Sequence, residues 1–126
     1  KNEQLFILDD IKNLEDGMAI KILIKTRERE LLDACQKGHI ETVKLLLTDE
    51  RVDVNVQDKH ERTPFYIACE NGHIEIAELL LNEKRLSIRK KTNKGETALD
   101  IAKTNNHSEI MKLIKEVDTG NLLNDY

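Results

Sequence analysis

Cys35-Gln36-Lys37-Gly38-His39-Ile40-Glu41 recurs 34 residues later as Cys69-Glu70-Asn71-Gly72-His73-Ile74-Glu75, and again, altered, as Lys103-Thr104-Asn105-Asn106-His107-Ser108-Glu109. The register extends in both directions. Upstream, Leu31-Leu32-Asp33-Ala34 aligns with Phe65-Tyr66-Ile67-Ala68 and Leu99-Asp100-Ile101-Ala102. Downstream, Leu45-Leu46-Leu47 aligns with Leu79-Leu80-Leu81 and Leu113-Ile114-Lys115. A fixed period of roughly 20–50 residues marks a stack of small units, none able to bury its apolar face alone. Such a stack works through an extended surface rather than a catalytic pocket.

Composition agrees with one small module. The 126 residues are 35% charged and 3% aromatic, with no Trp, so the core must come from Leu, Ile and Ala, which suits helices. A net charge of −4 implies neither nucleic acid nor membrane by itself. No apolar run approaches the roughly 18 residues of a bilayer span, and no secretory leader opens the chain. The chain begins with Lys1 rather than Met, as a piece of a longer protein would. The expected setting is intracellular, in cytoplasm or nucleus.

Each unit reads as two helices and a projecting loop. In the middle unit Thr63 precedes Pro64, which fits the first position of a helix, where its missing N–H is not needed. Thr63 can cap that helix. Phe65, Ala68 and Cys69 share one face. Gly72 ends the helix, and a second runs from about Ile74 to Leu81 with Ile76, Leu79 and Leu80 as its buried stripe. Eight-residue polar stretches follow at 48–55 and 82–89, then loops at 56–62 and 90–96, with Asn93-Lys94-Gly95 as a turn.

Thr63-Pro64-Phe65-Tyr66-Ile67-Ala68 and Thr97-Ala98-Leu99-Asp100-Ile101-Ala102, with Gly38-His39, Gly72-His73 and the Leu triplets, resemble the ankyrin repeat. The resemblance covers about residues 29–118. It implies an all-α solenoid of helix–turn–helix units with β-hairpin or loop fingers at their junctions. The departures are Arg29-Glu30 where Thr-Pro is expected, Glu61 in place of a finger Gly, and Asn106 in place of a Gly before His. The expected organisation is an N-terminal helical cap over 1–28, repeats at 29–58, 59–91 and 92–118, and a loose tail over 119–126. In the cap, Leu5, Leu8, Ile11 and Leu14 form one helical stripe, while Ile20, Ile24, Arg27, Leu31 and Ala34 form another that runs into the first repeat. Residues 20–25 also alternate as a strand would, leaving a strand or finger open there.

Residues that invite a chemical reading have plainer ones. Cys35 and Cys69 occupy one register position. Packed helices lie about 8–10 Å apart, beyond the Cα reach of a disulfide, so both read as core filler. No zinc spacing follows them. His39, His73 and His107 could form a metal ladder or pH switch. The resemblance implies instead that each bonds a backbone group at the inter-helix turn, and that His60 is exposed on a finger. No phosphate-binding loop, nucleophile elbow or metal-binding His pair is present. The expectation is a non-enzyme with no metal or cofactor.

Charge is the feature peculiar to this chain. Residues 84–94 carry Lys84, Arg85, Arg89, Lys90, Lys91 and Lys94 and no acid. The equivalent earlier stretch holds Asp49, Glu50, Asp53 and Asp58 against Arg51 and Lys59. This is either a solvated loop or a basic edge for an acidic or phosphorylated segment. The resemblance implies partner binding through fingers and first helices. That places candidate contacts at Gln36 and Lys37, at Gln57, Lys59, His60, Arg62, Glu70 and Asn71, and at Arg89, Lys90, Lys91, Asn93, Lys94, Glu96, Thr104 and Asn105. The expected function is protein binding within a larger regulatory or scaffold protein. The alternatives are the regulatory segment of an enzyme and a nucleic-acid or phospholipid binder using residues 84–94.

Overall fold

The structure, a computed structural model, describes residues 16–124, with side chains through 117. It contains six helices: α1 Asp16–Lys37, α2 Ile40–Leu47, α3 Pro64–Asn71, α4 Ile74–Leu81, α5 Ala98–Thr104 and α6 Ser108–Asn124. They pair as α1–α2, α3–α4 and α5–α6. The first members stack in one row, α1 on α3 on α5, and the second members in another, α2 on α4 on α6. No strand forms among the described residues, so the fingers are turns rather than hairpin ladders.

The core follows the repeat register. Ala34, Ala68 and Ala102 are buried at the centre of the inner row, where only a methyl fits between neighbouring helices. Around them close Leu31 and Val43, then Phe65, Ile67, Ile76 and Leu80, then Ile101, Ile110 and Ile114. The loops contribute as well. Val52 and Val54 lie in the stretch that reads as polar, yet both are 1% exposed.

Helix ends follow local chemistry. The Thr63 hydroxyl accepts the Tyr66 amide at 3.1 Å, and Pro64 occupies the first turn of α3. Thr97 and Asp100 form a reciprocal capping box on α5. The first unit has no such start signal at Arg29-Glu30, so its inner helix continues upstream without a break to Asp16. This resolves residues 20–25 as helix. The stripe expected from Leu5 to Leu14 lies outside the described residues. Ile20 is 38% exposed, so it does not join the Leu31–Ala34 face to which its spacing assigned it. At the other end α6 runs to Asn124, where a loose tail was expected from 119. Gly120 is the only break-prone residue there, and one interior Gly costs a helix only about 1 kcal/mol.

Outside the fingers, polar contacts tie segments of the stack together at three places. The His73 ring reaches back to the Gln36 carbonyl (3.0 Å), and the His107 ring to the Glu70 carbonyl (3.2 Å). These bonds link a unit to the end of the inner helix before it. His39 precedes α2 in the same way, but its side chain makes no such bond among the described residues. The expectation for the histidines therefore holds for two of three. Second, the Arg85 guanidinium donates to the carbonyls of Glu50 and Val52, both at 3.0 Å, while its Nε pairs with Glu83 at 2.8 Å. Asn55 adds a bond to the Arg85 carbonyl and accepts the Ser87 amide. Third, Arg27 of α1 pairs with Asp49 at 2.7 Å, and Glu28 accepts the Asp53 amide at 2.8 Å.

Gly38 and Gly72 have two reasons to be glycine. Both sit at positive φ, +81° and +74°, where a side chain is strained. A Cβ on Gly72 would also lie 2.8 Å from the His107 ring, and one on Gly38 2.9 Å from that of His73. Gly95 has positive φ but open space around it. Gly95→Ala should therefore cost only the left-handed strain, about 1–2 kcal/mol. Gly72→Ala should cost a further ~1–3 kcal/mol from overpacking. Urea unfolding of both variants checks this, and equal losses would show that the His seam does not set the spacing.

Asp49 makes a pH prediction. Hydrogen bonds from Arg51, opposed by burial and aided by Arg27, hold its carboxyl well below the ordinary 3.8. A depressed carboxyl stabilises the fold at pH above its unfolded value and loses that contribution as pH falls through the folded one. Asp49→Asn should cost about 1–2 kcal/mol at neutral pH, the range for a partly screened charged hydrogen bond. The gap between parent and variant should shrink as pH falls below 3.8. A gap independent of pH would assign the loss to something other than this charge.

Candidate functional site

The fingers that lead into the second and third repeats, residues 56–62 and 90–96 (the second and third fingers), are built by one device at equivalent positions. The Asp58 carboxylate accepts the amides of His60 and Arg62, each at 2.9 Å. Thirty-four residues on, the buried Thr92 hydroxyl accepts the amides of Lys94 and Glu96 (3.2 and 3.3 Å). Each turn is closed by backbone bonds, Asp58 N–H to the Arg62 carbonyl and Thr92 N–H to the Glu96 carbonyl. The fingers are tied to each other as well. Asn93 N–H donates to the His60 carbonyl at 3.1 Å, and the Gln57 amide donates to both Glu61 and Lys91 carbonyls. Glu61, in place of the expected Gly, takes φ +62°.

Between these fingers and the inner helices lies a hollow of about 370 Å³, lined by His60, Arg62, Tyr66, Glu70, Thr92, Asn93, Lys94, Glu96 and Ile101. Its polar groups are largely committed. Arg62 pairs with Asp58 at 2.9 Å and Glu70 at 3.0 Å. Burial would raise the Asp58 carboxyl, but bonds from the Arg62 and His60 amides and the Arg62 guanidinium hold it below its usual range. The Tyr66 hydroxyl donates to Glu96 at 2.9 Å, and burial, then this carboxylate, push the phenol up from its ordinary value.

Six of the sixteen candidate residues meet at this hollow: His60, Arg62, Glu70, Asn93, Lys94 and Glu96. The others spread along the same side or serve the fold. Gln57 is a strut between fingers. Asn71 and Thr104 return bonds to carbonyls of their own helices, Ile67 and Asp100. Asn105 donates to the Glu70 carbonyl at 2.9 Å. Lys37 is exposed in a loose pair with Asp33. The Gln36 carbonyl receives His73, while its side chain, like Lys59, is exposed. Sequence reasoning missed Tyr66, Thr92 and Ile101. Only Thr92 had a legible signal, its register equivalence to Asp58.

The basic stretch divides. Arg85 is spent on repeat 1 carbonyls, and Arg89 has a partner of its own. Lys84, Lys90, Lys91 and Lys94 are exposed, and none is in an ion pair among the described residues. Losing Arg85 from the patch leaves a nucleic-acid or phospholipid reading with fewer cations than the sequence offered.

No group of three His, Cys, Asp or Glu residues that could hold a metal ion occurs among the described residues, and no described helix is long and apolar enough to cross a membrane. Cys35 and Cys69 are free and buried at the inner row. Burial pushes the Cys35 thiol up to about 12 and Cys69 higher still. A thiolate-directed reagent at pH 8 should leave the native protein essentially unmodified and titrate two thiols after unfolding. Rapid native labelling, or a single thiol in the unfolded chain, would contradict this placement.

A family model described as ankyrin repeats, in three copies, matches residues 31–122. No curated protein sequence matches the chain.

Proposed function

We infer the function from one premise: the chain belongs to the ankyrin-repeat family. Ankyrin repeats mediate protein–protein interaction, and the repeat domain is a non-catalytic interaction module. We propose that this one binds a protein segment along the second and third fingers and the inner helices beneath them. We propose further that it does so inside the cell, as part of a larger regulatory or scaffold protein, and that the segment is acidic or phosphorylated.

The observation that carries the proposal is the state of Lys90, Lys91 and Lys94. They are exposed at the third finger and held in no ion pair among the described residues. Nearby, Asp58 and Arg62 of the preceding finger and Glu70 of α3 are locked together, Arg62 pairing with both carboxylates. Unpaired cations on a rigid, cross-braced turn need little reordering to meet an anion. Charge-assisted hydrogen bonds to such a partner are worth about 1.5–3 kcal/mol, against roughly 0–1 kcal/mol for mobile rim pairs. Electrostatic attraction would act mainly on the association rate.

Peptides selected for binding from a random display library supply the ligand for the test. Reversing Lys90, Lys91 and Lys94 to Glu should leave the fold intact and weaken acidic peptides at least tenfold, mostly through slower association. Charge reversal at Lys44, Glu78 and Lys112, exposed on the outer helices, should leave binding unchanged. Equal effects of the two sets, or no effect of either, would reduce the third finger to a solvated loop.

A further inference from the structure

The hollow between the fingers differs in character from the lysine edge beside it. Arg62, the cation on its inner-helix side, is already bound by two carboxylates, Asp58 and Glu70. Glu96 is not balanced in this way. Among the described residues its carboxylate has only the Tyr66 hydroxyl, a neutral donor, and no lysine or arginine lies within ion-pair distance of it. A carboxylate has room for about four hydrogen bonds, so Glu96 and Glu70 both retain acceptor capacity facing the hollow. The flank of the hollow is apolar, formed by the almost fully buried Tyr66 ring and Ile101. Its other cationic lining residue, Lys94, and His60 belong to the exposed finger tips.

Apolar surface from Tyr66 and Ile101 beside half-buried acceptors, with the one unpaired cation held out at the finger tip, suits a side chain with an aliphatic stem and a cationic head. An acidic side chain there would meet Glu70 and Glu96 with only Lys94, at the exposed finger tip, free to balance it, since Arg62 would have to leave its existing pairs. Building on the docking reading above, we propose that the hollow lined by Tyr66, Glu70, Glu96 and Ile101 receives an arginine or lysine side chain of the partner segment, whose neighbouring acidic residues lie on Lys90 and Lys91. The partner then reads as a segment of mixed charge, one base set among acids. Nucleic acid fits such a hollow poorly, because a polyanion offers no cation to Glu96. It also gives register, since a basic side chain placed one position off would face the lysine edge.

The test uses the whole chain and a random peptide library displayed on phage. Selection on the parent protein should enrich peptides with one Arg or Lys flanked by Asp or Glu. In an enriched peptide, replacing that base by Gln should weaken binding to the parent about tenfold. On Glu96→Gln, whose neutral side chain can still accept from Tyr66, the same replacement should change affinity less than threefold. Coupling of that kind supports the proposal once circular dichroism shows the variant folded, and Glu70→Gln with the same peptide pair serves if it is not. Enriched peptides without a base, or a base that contributes equally on parent and variant, overturn it. Base-dependent peptides that ignore reversal of Lys90, Lys91 and Lys94 would keep the hollow and discard the acidic-segment reading. A selection that enriches nothing overturns both.

Discussion

The distance between one repeat and the next is fixed where a histidine ring meets a glycine. His73 lies over Gly38 and bonds the carbonyl of Gln36; His107 lies over Gly72 and bonds that of Glu70. The glycine ends its own helix in the left-handed conformation and, lacking a Cβ, lets the next ring approach within van der Waals contact. One residue thus serves intra-repeat and inter-repeat geometry together. With that spacing fixed, Ala68 and Ala102 reach the depth at which a methyl fills the gap between inner helices, and the fingers come close enough for Asn93 to bond His60. The third unit has Asn106, not Gly, at this position, with φ +60°. Asparagine tolerates the left-handed region, and Asn106 is exposed.

Why the repeats were legible is a matter of redundancy. Thr63-Pro64, Gly72 and the Leu79-Leu80-Leu81 run each state a local preference, and the same preferences recur in register, so an error at one position is outvoted by its equivalents. Consistency between local propensity and global fold is what a well-specified sequence shows. The first unit was harder to read because its start signal is absent. With neither a cap nor a proline at Arg29-Glu30, nothing stops the inner helix, and it extends to Asp16. Val52 and Val54 were missed for a different reason. Each stands between charged or polar neighbours, so a hydropathy reading sees a polar loop, while successive turns, closed by bonds from Val52 N–H to the Asp49 carbonyl and from Val56 N–H to that of Asp53, send both valines into the core.

The candidate site was half legible, and the division follows hydrogen bonding. Family resemblance pointed to one side of the molecule, since fingers and inner helices are placed by backbone geometry. It could not say which side chains remain available there. Gln57, Asn71, Thr104 and Asn105 look like surface amides and hydroxyls in sequence, yet all four return bonds to carbonyls. Arg85 looked like part of a basic edge and is instead a bracket under the preceding repeat. Tyr66 and Ile101, which the sequence reading assigned no role beyond the repeat motif, are core residues that each also present one side to the hollow.

Charge counted along a chain therefore overstates charge offered to a partner. Of the six cations in residues 84–94, Arg85 is consumed by carbonyls of repeat 1, and Arg89 has a partner of its own. The guanidinium group suits such duty, because its five donors in a fixed fork can satisfy several acceptors at once. Lysine, with a compact and strongly hydrated head on a flexible stem, gains less from internal bracing and stays in solvent. The chain uses the two residues accordingly: Arg27, Arg62 and Arg85 join segments of the fold, whereas Lys84, Lys90, Lys91 and Lys94 remain outside. On the reading proposed above, the same separation lets one small surface hold opposite preferences side by side. Where arginine has neutralised the interior carboxylates, at Asp58 and Asp49, nothing is left to attract a partner. Where a carboxylate has met only a hydroxyl, at Glu96, a demand for positive charge persists a few residues from lysines that demand the reverse.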